Sequence, residues 1–152
     1  MQIGVISDTH GLTRPEALAT LQDSDLLLHA GDIGKPEVLK SLESISSVVA
    51  IRGNIDQGTW ARHLPEETVV EVKGTRLYLI HNVNDFQDNT RSNQYHVVIS
   101  GHSHKPSIRE IDGVLFLNPG SAGPRRFKLP VAVAKLYVDG DKVRSEVIEL
   151  KV

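Results

Sequence analysis

Short apolar runs alternate with helix-patterned stretches over the first third of the chain. Gln2 to Ser7, "QIGVIS", stays apolar until it ends in serine. Arg14 to Gln22, "RPEALATLQ", places Leu18 and Leu21 at helical spacing, with Pro15 where a first helical turn tolerates it. Asp25 to Ala30, "DLLLHA", reads as a buried strand. Pro36 to Ser44 repeats the helical pattern, with Val38, Leu39 and Leu42 on one face, and Ser47 to Arg52, "SVVAIR", is a third strand. This strand–helix alternation predicts a parallel sheet with right-handed crossovers.

The pattern then changes to hairpins. "TVVEV" and "RLYLIH" flank Lys73-Gly74-Thr75, "SIREI" and "VLFLN" flank Asp112-Gly113, and "VAVAKLYV" and "KVRSEVIEL" flank Asp139-Gly140-Asp141. "HVVIS" is a further strand, preceded by a polar stretch, Asn82 to Tyr95, that holds a short helix or none. The last strands alternate, with Val143, Val147, Ile148 and Leu150 set among charges. No linker, repeat or low-complexity run divides the chain, so residues 1–152 form a single domain. The expectation is an α/β protein with two sheets packed face to face and helices outside.

Composition narrows the function classes. With 152 residues, 39% hydrophobic and 24% charged, the chain is long enough for a real core and has the balance of an ordinary globule. A net charge of −2 gives no field that would draw nucleic acid or an anionic membrane. The chain has no cysteine, which excludes disulfides, iron–sulfur clusters and thiolate zinc sites. "MQIGVISDTHG" lacks a basic n-region, and its apolar run breaks at Ser7 and Asp8, so it does not read as a signal peptide. No apolar run approaches the ~20 residues of a membrane span. A cytoplasmic protein without membrane contact is expected.

The chemistry gathers where the strands end. Asp8 and His10 follow the first strand, Asp32 the second and Asn54 the third; His81 closes "RLYLI", and His102 and His104 follow "HVVIS". Ligands of open α/β sheets bind outside the carboxyl ends of strands. Asp-x-His or Gly-His-x-His alone is weak, because Asp, Asn and Gly are ordinary turn residues. Three acids or amides and four histidines on one predicted edge exceed turn preference and indicate a metal site. Gly31, Gly53 and Gly101 each precede one of these residues, as tight turns that aim the next side chain would require. His102 and His104 are two residues apart, so in an extended segment both face one pocket. Imidazole, carboxylate and amide ligands without thiolate suit Mn²⁺, Fe, Ni²⁺, Zn²⁺ or Co²⁺.

Other residues carry less. His29, inside "LLLHAGD", reads as a buried histidine bonded to a neighbouring loop rather than a ligand. Asp56 is either an acceptor that fixes a loop or a histidine tautomer, or a plain turn residue. His63 reads as a surface residue, His96 has no assigned role, and Trp60 is either a core cap or an exposed contact.

Asp8-Thr9-His10, Gly31-Asp32, Gly53-Asn54, His81 and Gly101-His102-Ser103-His104 stand in the order and spacing of the calcineurin-like metallophosphoesterases, which this chain resembles over essentially its whole length. "GNID", "NPGSAGPRR" and the short chain resemble the small prokaryotic phosphodiesterase branch of YfcE type. The resemblance implies a four-layer α/β/β/α sandwich of two mixed β-sheets. It also implies two divalent metals, Mn²⁺ first among the candidates. Asp8, His10 and His104 would hold one; Asn54, His81 and His102 the other; Asp32 would bridge them. The implied activity is hydrolysis of a small phosphoester, a diester first, by a hydroxide bridging the metals. The alternative is a non-catalytic scaffold of the same fold, like the retromer subunit. A homodimer is expected on the resemblance alone.

Two positions depart from the family pattern. Many family phosphatases carry histidine directly after the motif asparagine, whereas here Ile55 stands there and has no proton to give. Asn82 follows His81 where glycine is usual, and the segment from there to Tyr95 is short and polar.

Overall fold

The computed structural model describes residues 1–87 and 94–152. The first third follows the predicted order: β1 (Gln2–Ile6), α1 (Pro15–Thr20), β2 (Leu26–His29), α2 (Pro36–Glu43) and β3 (Val48–Ala50). Both helices open on proline after an extended residue, Arg14 or Lys35, and neither has a side-chain cap. Proline pre-sets the first helical φ and has no N–H to leave unpaired. α1 is shorter than its pattern. Beyond Thr20 the chain turns toward Asp25, whose Oδ2 accepts the Gln2 N–H at 2.8 Å and ties the turn to the edge of β1.

The remaining strands are β4 (Glu67–Val72), β5 (Thr75–Ile80), β6 (Val97–Ile99), β7 (Ser107–Ile111), β8 (Val114–Asn118), β9 (Ala132–Asp139) and β10 (Lys142–Glu149). The predicted hairpins form. Lys73-Gly74 and Asp112-Gly113 each take positive φ at both turn residues, the twist that suits a two-residue hairpin.

Two five-stranded sheets result, in the orders β10-β9-β1-β2-β3 and β4-β5-β6-β8-β7. Both are mixed: β1–β2–β3 run parallel and β9–β10 antiparallel in the first, while β5–β6–β8 run parallel with antiparallel edges in the second. Ile3, Val5 and Leu28 of the first sheet pack on Leu77, Leu79, Val97 and Ile99 of the second. Each such side chain contributes ~1.5–3 kcal/mol on burial, so this layer is what fixes the two sets of parallel strand ends together. On the outer face of the first sheet, Ala17 and Leu21 of the α1 region and Val38 and Leu42 of α2 cover Ile6 and Leu27.

The outer face of the second sheet carries aromatic side chains instead. Tyr78, Tyr95, Phe86 and Phe116 pack there, beside the 3₁₀ turn Val83–Asp85. Among the described residues no α-helix covers that face. Of the stretch from Asn82 to Tyr95, read as a short helix or none, the described residues show this 3₁₀ turn, capped by Asn82 Oδ1 accepting from Asn84 N at 3.0 Å. Residues 88–93 of that stretch lie outside the described residues.

Candidate metal centre

The carboxyl ends of β1, β2, β3, β5 and β6 meet at one edge, where the sheets face each other. Backbone bonds lace the loops: Asp8 N to Gly31 O at 3.0 Å, His10 N to Asp32 O at 3.0 Å, and Gly101 N to His81 O at 2.9 Å, the last within the second sheet. The His102 N–H crosses between sheets and donates to Asp8 Oδ2 at 3.0 Å. His81 Nδ1 crosses back and donates to Ala30 O at 2.7 Å.

Asp8, His10, Asp32, His102 and His104 all adopt left-handed backbone, with φ between 48° and 71°. That region costs ~1–2 kcal/mol for a residue with a Cβ, and such strain collects where a site over-determines it. This corrects the extended alternation expected of His102 and His104. They leave the strand through two left-handed residues and join different partners. The His102 ring is exposed and stands 5.2 Å from that of His81; the buried His104 ring stands 5.3 Å from that of His10.

The glycines serve a different need from the one expected. Gly31 does take positive φ. Gly53 and Gly101 do not; they are required because carboxylates lie against them. A Cβ at Gly53 would overlap Asp32 Oδ1, and one at Gly101 would overlap Ser7 Oγ and stand 2.6 Å from Asp8 Oδ2.

Two groups of ligand-type atoms form: Asp8 with His10 and His104, and Asp8 with Asp32 and His81. Asp32 Oδ2 lies 3.6 Å from His10 Nε2 and 3.4 Å from His81 Nε2, so one carboxylate oxygen touches a histidine of each group. Asp8 Oδ1 lies 3.5 Å from His104 Nε2 and 3.9 Å from His81 Nε2. Asn54 is exposed and lines the cavity next to His81. The residues fit divalent cations. Asp8 Oδ1, His10 Nε2, His81 Nε2 and His104 Nδ1 are buried without a hydrogen-bond partner among the described residues. Because His81 Nδ1 is taken by Ala30, Nε2 is the nitrogen left facing two carboxylates, free to take a proton or a cation. Buried acceptors facing one another need a cation or a proton between them.

The ionisation of the cluster shows the same frustration. Burial pushes the Asp8 carboxyl up to about 6, against the Ser7 hydroxyl that donates to it at 2.8 Å. Burial also opposes the Asp32 charge, yet the facing His81 imidazole and the Ile55 N–H hold Asp32 down at about 2. His81 is raised: burial opposes its protonation, but Asp32, the Ala30 carbonyl and Asp8 outweigh it. Burial and the Arg126 guanidinium lower His104 to about 4. Burial comes first for the lowered His10 as well, where Asp32 pulls upward and Arg126 downward.

The supporting residues have definite roles. His29 is fully buried; Nδ1 accepts from Gly31 N at 3.1 Å and Nε2 stands 3.0 Å from Thr9 Oγ1. Thr9 already donates its only hydroxyl proton to Ile33 O, so His29 is the donor there and is neutral, with both nitrogens in use. It is not a ligand. Asp56 accepts three backbone N–H groups, from Ile33, Gly34 and Gly53, and so pins the Asp32 loop to the Asn54 loop. Trp60 packs on the helix-covered core, His63 is exposed, and His96 Nδ1 accepts from Arg76 N.

Several residues had not been singled out in the sequence. Ser7 orients Asp8, Asn118 Nδ2 braces the His102–His104 loop through Gly101 O and Ser103 Oγ, and Ser121 Oγ donates to Asp8 O. Asn118, Ser121 and Arg126 all fall in "NPGSAGPRR", which gave a resemblance but no role. A cavity of about 420 Å³ opens beside the cluster at His81 and Asn54. Among the described residues no helix is long and apolar enough to cross a membrane.

The chain is similar to known proteins over most of its length. The calcineurin-like phosphoesterase superfamily domain matches residues 1–141. A probable metallophosphoesterase of Methanothermobacter thermautotrophicus is 38% identical, over 97% of this chain and 92% of its own. Vacuolar protein sorting 29 from Cryptosporidium parvum has the same fold, with a TM-score of 0.84 at 23% identity, over 99% of this chain and 91% of that one. A structure described as a novel archaeal phosphodiesterase matches with a TM-score of 0.80 and 25% identity, over 97% of this chain and 100% of that one.

Proposed function

The chain belongs to the calcineurin-like phosphoesterase superfamily, and from that premise we propose that it hydrolyses a small phosphodiester at a centre of two divalent metal ions. The observation that carries this reading is the Asp32 carboxylate set between His10 Nε2 and His81 Nε2, one histidine from each ligand group. Asp8, His10 and His104 would hold one ion, Asn54, His81 and His102 the other, with Asp32 shared. Mn²⁺ is the first candidate; Ni²⁺, Zn²⁺, Fe and Co²⁺ suit the same donors. When bound, such ions supply Lewis acidity toward phosphoryl oxygens and a nucleophile at neutral pH.

The protein's own groups orient the reaction. Ser7 and the His102 N–H occupy Asp8 Oδ2 and leave Oδ1 for the ion. The Ala30 carbonyl fixes the His81 tautomer. Ile55 contributes only its backbone N–H, to Asp32 Oδ1 at 3.2 Å, and its exposed side chain has no proton for a leaving group. A positioned general acid is worth typically ~10²–10⁴-fold. Esters with good leaving groups are therefore the substrates expected to react, aryl diesters before alkyl monoesters.

The rival reading is a partner-binding scaffold, as the resemblance allowed. Filled ligand positions and buried orphan acceptors favour the enzyme. Metal-free protein supplied with Mn²⁺, Ni²⁺, Zn²⁺ or Co²⁺ should cleave bis(p-nitrophenyl) phosphate, and chelation should abolish it. Metal binding without turnover of any ester would favour the scaffold.

A further inference from the structure

A second cavity, of about 330 Å³, opens on the outer face of the second sheet, and none of the candidate metal ligands lines it. The strand pattern places its residues. On β6, Val98 faces outward beside Tyr78 while Val97 and Ile99 face the core, so Ser100, just past the strand, takes the outward direction of Val98. On β8, Phe116 faces outward. The register pairs Ser107 with Asn118 and Arg109 with Phe116, which brings Ser107 and Arg109 of β7 to that same face. Ser103 and Lys105 reach the cavity from the segment between β6 and β7.

The free polar groups here are cations and hydroxyls, all able to donate. Ser103 Oγ accepts from Lys105 N and from Asn118 Nδ2, each at 3.1 Å, so its hydroxyl proton is left over. The Ser107 hydroxyl and the Lys105 and Arg109 side chains have no hydrogen bond or ion pair among the described residues. Exposed cations alone would not make a site. Ser100 adds an independent observation: it is 4% exposed, it lines the cavity, and its hydroxyl has no hydrogen-bond partner among the described residues. A buried hydroxyl left in this state is costly unless a ligand takes its proton. No carboxylate is among the described lining residues. Two cations and three hydroxyl protons around one space suit a dianion that only accepts, as the three terminal oxygens of a phosphomonoester do. Half-buried Val83 and Phe116 give the same cavity an apolar wall. We propose that this cavity binds a phosphomonoester dianion, its phosphoryl group held by Ser100, Ser107, Lys105 and Arg109 and its organic part set against Phe116. The site is apart from the metal centre and does not depend on the reaction proposed there.

The full chain, ¹⁵N-labelled and loaded with Zn²⁺, is titrated with phenyl phosphate at constant ionic strength while its backbone amide resonances are followed. The amides of Ser100, Ser107 and Phe116 should shift to saturation on one curve. Ser100→Ala removes only an unpartnered hydroxyl, and Lys105→Gln with Arg109→Gln removes two exposed charges, so both variants should fold as the wild type does. Each should weaken that curve by ~10-fold or more, while the shifts of His81 and Asn54, at the metal centre, stay as they are in the wild type. Methyl phenyl phosphate, a monoanion with the same ring, should bind more weakly. So should inorganic phosphate, which has no ring to set against Phe116. Absence of a saturable shift at Ser100 and Ser107, an affinity unchanged in either variant, or equal affinity for methyl phenyl phosphate or inorganic phosphate overturns the inference.

Discussion

His81 Nε2 stands 3.4 Å from Asp32 Oδ2, and the ring is held in that orientation by the bond from Nδ1 to Ala30 O. A ring nitrogen and a carboxylate oxygen held in this way suit one cation, and the same Asp32 oxygen stands 3.6 Å from His10 Nε2. On the proposed two-metal reading, removing Asp32 takes a donor from both ion sites, whereas removing His81 takes one from a single site. Asp32→Ala should lose both metals and nearly all turnover. His81→Ala should keep partial occupancy at Asp8, His10 and His104. Metal content after dialysis against Mn²⁺ separates the two, and equal retention would contradict the shared role of Asp32.

Much of this site was legible in the sequence because its ligands close predicted strands. Apolar runs ending in Asp, Asn or His mark both the strand and its functional end, and the hairpin glycines announced their turns. The backbone conformation was not legible. Nothing in "GHSH" reveals that both histidines are left-handed, since that follows from His102 N bonding to Asp8, 94 residues away in sequence. The glycine before each ligand was visible, but its reason at Gly53 and Gly101 is the carboxylate of a distant loop. The roles of His29 and Asp56 likewise depend on partners 20 and 23 residues away, Thr9 and Ile33.

Gly101 offers a test of that close packing. In Gly101→Ala the new methyl displaces Ser7 Oγ and Asp8 Oδ2, and overpacking of this kind costs ~1–3 kcal/mol. Metal affinity should fall with stability, because Asp8 loses its orientation. Gly113→Ala, at a hairpin with open space around it and φ of 80°, should carry only a backbone cost of ~1–2 kcal/mol and bind metal normally. Denaturation midpoints and metal titrations of the two variants make the comparison.

His29 gives the metal-free protein a pH signature. Its pKa falls from 6.5 to about 4 because burial disfavours the imidazolium. As pH drops below 6.5 the unfolded chain takes up a proton that the folded chain refuses until about 4, so stability declines across that window and not above it. The contribution is up to ~3 kcal/mol. Asp8, raised to about 6, works in the opposite direction, so the comparison is made against His29→Gln. This variant should be less stable at neutral pH but lose less stability on going to pH 5 in the presence of chelator. An unchanged slope would show that His29 is already protonated in the folded protein.

In the proposed reaction Ile55 would set the leaving-group preference. Ile55 is 45% exposed beside Asp32, so histidine is tolerated there without loss of core packing. Wild-type protein should favour aryl over alkyl esters, and Ile55→His should raise kcat/KM on alkyl monoesters, by up to ~10²-fold if the imidazole reaches the leaving oxygen. Matched aryl and alkyl mono- and diesters measure both effects. A wild-type preference for alkyl monoesters would mean that another group supplies the proton.

The most direct measurement counts metal and turnover in one sample. Chelated protein is titrated with Mn²⁺ while bound metal per chain and cleavage of bis(p-nitrophenyl) phosphate are followed together. The account predicts saturation at two ions per chain, with activity rising as the second site fills. Saturation at one ion with full activity, or two ions bound with no hydrolysis, would contradict it.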